Sequence, residues 1–156
     1  MKKIISLLIV VIIMTVGCQK VNEGKFTEGT YFGSVETVSY GKKYVTTAVV
    51  YINDQGLIKS VFIDSTYLKD EVNTTKKVLR DAYGMKSTSA NAGTISEGSE
   101  WYEQVEVLEE KIIEEQGIDW IVWQDDAKTK LDALTGFTIT ADSYIEAVSK
   151  ALEQAK

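Results

Sequence analysis

The run Tyr44-Val45-Thr46-Thr47-Ala48-Val49-Val50-Tyr51-Ile52-Asn53-Asp54-Gln55-Gly56-Leu57-Ile58-Lys59-Ser60-Val61-Phe62-Ile63 decides the fold. Tyr44 to Ile52 is β-branched and aromatic almost throughout, and Leu57 to Ile63 interrupts an apolar run with Lys59 and Ser60. Both stretches predict strands, because such side chains suit a pleated surface. Asn53-Asp54-Gln55-Gly56 between them predicts a hairpin loop, with Gly56 supplying the positive φ that such loops need. Upstream, Thr30 to Val38 carries Tyr31, Phe32, Val35 and Val38 and predicts a further strand, so the chain opens with an antiparallel meander.

The apolar period then changes. Glu100 to Glu115 places Trp101, Val105, Leu108 and Ile112 on one helical stripe, with Gly117 as a C-cap candidate. Ala141 to Ala155 repeats the pattern with Tyr144, Ala147, Val148, Ala151 and Leu152. A weaker helical stretch, Thr74 to Ala82, ends at Gly84. Strands segregated before helices predict an α+β fold: a mostly antiparallel sheet with helices on one face, in a single small domain over 29–156.

Composition narrows the chemistry. The chain has 156 residues, 44% apolar and 26% charged, with a net charge of -6. That balance suits a folded domain and leaves no basic footprint for nucleic acid. Without a single His, imidazole acid/base chemistry, Ser-His triads and most zinc sites are excluded. One Cys excludes an internal disulfide, a Cys-x-x-Cys pair and an iron-sulfur cluster, so redox work would need an added cofactor.

That Cys has its own context. Lys2 and Lys3 precede an apolar run from Ile4 to Val16, and Thr15-Val16-Gly17 leads into Cys18. The run is short for a membrane span and right for a secretory signal. It resembles the lipobox of bacterial lipoproteins, which implies a signal peptide over 1–17, acylation of Cys18 and attachment to the extracytoplasmic face of the cell membrane. Thr15 stands where Leu is usual. Gln19 to about Glu28 is polar and reads as a short tether, so 18–28 is expected to link the lipid to the domain.

The segment with the most chemical content is Leu131-Asp132-Ala133-Leu134-Thr135-Gly136-Phe137-Thr138-Ile139-Thr140. It resembles the covalent flavinylation motif, Asp-x-x-(Ser/Thr)-Gly-Ala-(Thr/Ser), of FMN-binding domains. These include the flavinylated components of sodium-pumping NADH:quinone reductase and of Rnf complexes, and Gram-positive electron-transfer and pheromone-encoding lipoproteins. Asp132, Thr135, Gly136 and Thr138 match, and Phe137 departs from the family's Ala. The resemblance implies FMN joined through its phosphate to Thr138 by an FAD-dependent flavin transferase. Gly29-Thr30-Tyr31-Phe32-Gly33 resembles the family's Gly-x-Tyr-x-Gly opening, and Tyr83-Gly84-Met85 with Trp101-Tyr102-Glu103-Gln104 resembles its lipoprotein branch.

The residue types suit that role. Gly136 permits a tight turn and close approach of backbone to phosphate, Asp132 is a candidate either to hold a metal ion or to orient the turn while transfer occurs, and Thr138 and Thr140 lie just ahead of a helix N-terminus. Met85 and Trp101, with Tyr83, Trp120 and Trp123, are candidates to face an isoalloxazine ring, and core packing is the competing role, favoured for Trp101. For the motif itself the competing reading is an ordinary turn with Thr140 or Asp142 as helix cap. Glu103, Glu106, Glu110 and Glu114 read as a solvated helix face, and Asp125 and Asp126 as turn and ion-pair residues. The expected function is a membrane-anchored electron carrier, fed by a membrane quinone pool or dehydrogenase, with no metal site and no catalytic constellation of its own. A flavin-free surface lipoprotein acting as a binding module is the alternative, and Phe137 is the residue that favours it.

Overall fold

The computed structural model describes residues 24–39, 41–91, 97–128, 130–132 and 134–156. Cys18, the signal segment and the first part of the tether lie outside the described residues. Four strands form one antiparallel sheet in the order β1 (Gly29–Ser39), β2 (Lys42–Ile52), β3 (Ile58–Lys69), β4 (Val72–Thr75). Among the described residues four helices follow: α1 (Lys76–Leu79), α2 (Lys86–Asn91), α3 (Trp101–Glu114) and α4 (Asp142–Glu153), with a 3-10 turn over Arg80–Tyr83. The fold is α+β.

Alternation along the strands sets the two faces. Ala48, Val50 and Ile52 of β2 and Ile58 and Ile63 of β3 are fully buried, whereas Phe32, Tyr51 and Phe62 are exposed. Helix α4 lies over β1 and β2, and α3 lies against β3, so both long helices cover the same inner face. The α3 stripe of Trp101, Val105, Leu108 and Ile112 is buried there, as is the α4 stripe of Tyr144, Ala147, Val148, Ala151 and Leu152. Gly33 explains the last position of the Gly-x-Tyr-x-Gly opening. A Cβ there would stand 1.9 Å from the Ala147 carbonyl oxygen, so β1 meets α4 backbone to backbone.

Several boundaries differ from expectation, each for a local reason. Strand β3 runs on to Lys69 because Thr46 and Thr47 pair with Ser65 and Asp64, polar residues that the structure buries. Strand β4 takes Thr74 and Thr75 from the expected helix by pairing them with Tyr67 and Thr66. What remains of that helix is Lys76–Leu79, capped by Thr75 Oγ1 accepting from the Val78 N–H and ended at Arg80, whose φ is 47°. Helix α2 was not anticipated. The Glu100 carboxylate accepts from the Met85 and Lys86 N–H groups at 2.8 and 3.1 Å and so fixes its start.

At the end of α3 the left-handed residue is Gln116, φ 55°, not the expected Gly117. The Gly117 N–H returns to the Ile112 carbonyl at 3.0 Å and the Gln116 N–H to Ile113 at 3.4 Å, a Schellman closure. A non-glycine residue is held there because its side chain accepts from the Ile58 N–H at 2.8 Å and donates to the Ile58 carbonyl at 3.0 Å. Residues 24–28, expected within the tether, are docked on the domain. The Gly24 N–H donates to Gln55, the Thr27 N–H to Ala155, and Lys25 pairs with Asp119.

Candidate functional site

The described residues between Gly117 and Ala141 form no helix or strand of their own and are organised around a short antiparallel bridge, Trp123 opposite Leu131. The Gln124 N–H donates to the Lys130 carbonyl and the Asp132 N–H to the Val122 carbonyl, each at 3.0 Å. Gln124 Nε2 also donates to Asp132 Oδ1 at 3.3 Å, which orients an otherwise exposed carboxylate. Leu134-Thr135-Gly136-Phe137 then forms a turn closed by the Phe137 N–H on the Leu134 carbonyl at 3.3 Å. Gly136 sits third in it with φ 87°, the left-handed conformation that such a turn demands. Backbone geometry alone is thus sufficient reason for a glycine at 136.

Beyond the turn, sides alternate. Phe137, Ile139 and Ala141 enter the core, while Thr138 is half-buried and Thr140 exposed. The aromatic ring that replaces the motif's usual methyl is therefore a core side chain. Thr138 is fastened from below by Gln104, a fully buried residue of α3. Gln104 Oε1 accepts both the Thr138 N–H at 2.7 Å and the Thr138 hydroxyl at 3.0 Å, and its Nε2 donates to the Ser99 carbonyl at 3.3 Å. Sequence reading missed Gln104. The signal was present: it lies on the apolar stripe, one turn from Trp101, where a polar side chain needs a partner.

Asp132, Thr135 and Thr138 line one open pocket of about 340 Å³. Its walls include Leu131, Phe137 and Ile139, and Lys130 stands at its edge as the only cation among the described lining residues. Among the described residues the hydroxyl of Thr138 is hydrogen-bonded to an amide and to no base, so the arrangement presents and orients the group without activating it. A phosphoester on Thr138 Oγ1 fits this setting: the backbone hold on Gln104 survives loss of the hydroxyl proton, and apolar wall and ammonium are both within the pocket.

The other expected contacts lie elsewhere. Neither Met85 nor Trp101 lines this pocket, and Thr140 does not either. Trp101 is 1% exposed, its Nε1 donating to the Tyr144 hydroxyl at 3.0 Å and its ring set edge-on to Tyr144. Met85 is half-buried against the core. Neither Thr140 nor Asp142 caps α4, whose N-cap position is Ala141 without a side-chain hydrogen bond. Glu106, Glu110 and Glu114 are solvated as expected, and the Lys128 N–H closes a turn on the Asp125 carbonyl at 3.1 Å.

A second feature escaped the sequence. Glu109 is buried, and Lys77 Nζ donates to its two oxygens at 2.6 and 2.9 Å. The Ile63 N–H also donates to it at 2.5 Å, so one carboxylate joins α3, α1 and β3. Burial pushes its pKa up against the lowering pull of Lys77 and Ile63. Among the described residues no group of His, Cys, Asp and Glu is placed to hold a metal, and no helix is long and apolar enough to cross a membrane.

No family model matches the chain, and no curated protein matches it. Among solved structures it is similar to a protein from Clostridium thermocellum determined by solution NMR, with 26% identity. The likeness covers 81% of this chain and 90% of that one, at a TM-score of 0.53. That resemblance extends over nearly the whole of both folds and speaks for the arrangement of sheet and helices.

Proposed function

We propose that the protein is a membrane-anchored, extracytoplasmic flavoprotein that carries FMN on Thr138 and passes electrons from a membrane donor to an acceptor outside. The observation that carries this reading is the convergence of Asp132, Thr135 and Thr138 on one open, half-apolar pocket, with Thr138 fixed from beneath by Gln104. When bound, the flavin supplies two-electron acceptance and one-electron release. The chain's own residues hold and orient: the Gly136 turn projects Thr138, Gln104 fixes its backbone, Lys130 offsets phosphate charge, and Leu131, Phe137 and Ile139 exclude water from one side. Trp101 belongs to the core that positions α3, at one remove from the flavin.

Cys18 is the proposed lipid attachment. Gly24 is held on the domain by its N–H on the Gln55 carbonyl, and its distance in sequence from Cys18 limits the span from anchor to domain to roughly 20 Å at most. The domain would then stay against the membrane surface, within reach of a quinone or dehydrogenase donor. Two or three acyl chains make such an anchor stable.

The test is intact mass and in-gel flavin fluorescence of the full chain made together with an FAD-dependent flavin transferase. Wild type and Thr138→Ser are expected to carry one FMN under denaturing conditions, and Thr138→Ala none. Flavin persisting on Thr138→Ala would falsify the assignment. A wild type with no flavin would favour the binding-module alternative, which rests on Phe137. Since Phe137 packs in the core, Phe137→Leu is the variant that probes it without opening a cavity of benzyl size.

A further inference from the structure

Two consecutive lysines begin α1, and they have opposite fates. Lys77 is ion-paired with Glu109. Lys76 has neither a hydrogen bond nor an ion pair through its ammonium among the described residues. Its Nζ instead lies 5.1 Å from the Trp101 ring, 5.4 Å from Tyr83 and 6.0 Å from Tyr44. A half-buried ammonium held by ring faces retains all three N–H donors for an anion.

It faces a second pocket of about 200 Å³, which shares no lining residue with the one around Thr138. Among the described residues Lys76 is the only charged one that lines it, and no carboxylate does. Asp64 acts on Lys76 electrostatically, but its Oδ1 is committed to the Ser65 and Lys77 N–H groups at 2.7 and 3.0 Å. The pocket also contains the hydroxyls of Thr46, Ser65, Ser143 and Tyr144. Thr46 Oγ1 lies 3.5 Å from Ser65 Oγ and 3.4 Å from Ser143 Oγ, long for hydroxyl pairs, and its single proton serves only one of them. The Tyr144 hydroxyl accepts from Trp101 Nε1 and keeps its own proton uncommitted among the described residues, and the three protons of Thr46, Ser65 and Ser143 serve only two contacts, so at least one of them is free as well. Tyr44, Tyr67 and Tyr83 add a wall of rings, with centroids 6.4 and 5.1 Å apart in succession.

We propose that this pocket binds a small monocarboxylate, its carboxylate on Lys76 Nζ and the neighbouring hydroxyls and its carbon body against the tyrosine rings. One cation with uncharged donors matches one negative charge. A phosphate dianion would keep an uncompensated charge in a half-buried site, where the described lining residues include neither a guanidinium nor a second lysine. Burial also holds the Lys76 pKa down to about 8, the behaviour of an ammonium that lacks a close counter-ion. The inference stands apart from the flavin reading, since the two pockets are separate.

Amide NMR shifts of the full chain, titrated with benzoate, acetate and phenyl phosphate, test it. Saturable shifts at Ser65, Lys76 and Ser143 are expected, with benzoate tighter than acetate and phenyl phosphate weakest. Lys76→Met should weaken benzoate by at least about 10-fold, and Lys76→Arg should retain it. A thermal melt checks that both variants are folded, and Thr138→Ala should bind benzoate as wild type does. Absence of saturable shifts, equal affinity in a folded Lys76→Met, or tighter binding of phenyl phosphate would each overturn the proposal.

Discussion

Strands β1 and β2 are held to each other by an unbroken ladder from Gly29 opposite Ile52 to Ser39 opposite Lys42, whereas the described residues from Gly117 to Ala141 are held by an isolated bridge, short turns and the side chain of Gln104. Both regions are buried in part, yet they are specified differently. In the sheet, any side chain of suitable size and pattern serves, because backbone pairing fixes position. In the loop, individual atoms decide where Thr138 stands. A segment built this way can be remodelled without dismantling the frame, and it can be misplaced by a single substitution.

Two glycines offer the sharpest contrast. Gly33→Ala would drive a Cβ into the α4 backbone, and we expect a loss of roughly 3 kcal/mol or more, to the point of misfolding. Gly136→Ala meets no atom within 4 Å and is strained only through its φ of 87°, a cost of about 1–2 kcal/mol. Urea denaturation of both variants checks the order. Equal losses would erase the distinction between frame and loop.

Next in size is the buried pair that crosses the frame. Lys77→Met leaves Glu109 buried beside the Ile63 N–H without its cation, and should destabilise by about 3 kcal/mol. Adding Glu109→Leu should recover much of the loss, because the uncompensated charge goes with it. A double variant no more stable than the single one would mean that the pair does more than neutralise itself.

The frame was the legible half. Alternation in β1 to β3, the Gly56 hairpin and both long amphipathic helices follow directly from apolar period. What escaped had weak local signals. The β3–β4 hairpin turns on Asp70 and Glu71, at φ 49° and 67°, a pair without the glycine that usually marks such a turn. Helix α2 depends on a carboxylate from Glu100, fourteen residues away from its first residue, Lys86. In the loop, the motif's residue types were legible, and Gly136 had a purely conformational reason to be there. The partner of Thr138 was not, since it required knowing that α3 passes beneath the loop. Lys76 and Glu109 were equally invisible because burial of a charge is a tertiary property.

Removing Gln104 tests the loop's attachment alone. Gln104→Leu keeps the side chain's approximate volume and deletes the acceptor for both Thr138 groups, leaving a partly buried N–H unsatisfied. We expect a loss of roughly 2 kcal/mol in global stability and faster hydrogen exchange at Thr138. Exchange in β2 should quicken only in proportion to the global loss. A β2 affected more than the loop would show that the two regions are one cooperative unit.

The smallest effect separates stability from binding within the frame itself. Burial lowers the Lys76 pKa from its ordinary 10.5 to about 8, with Asp64 opposing the shift. Below pH 8 the ammonium is charged in both the folded and unfolded chain, so the full cost of burying it is present at pH 7. As pH rises from about 8 toward 10.5 the folded chain releases this proton while the unfolded chain keeps it, and stability increases. Tyr83 and Tyr144, raised by burial to about 12, act in the opposite sense, but only above about pH 10, where unfolded tyrosines begin to ionise. Lys76→Met should therefore be more stable than wild type at pH 7 by roughly 1–2 kcal/mol, once the shift is discounted for the solvent that still reaches the site. The advantage should shrink steadily between pH 8 and 10, measured by urea denaturation at fixed ionic strength. A constant gap across that range would mean that the ammonium is as well solvated as an exposed one, and that the frame carries no stability penalty at the pocket it encloses.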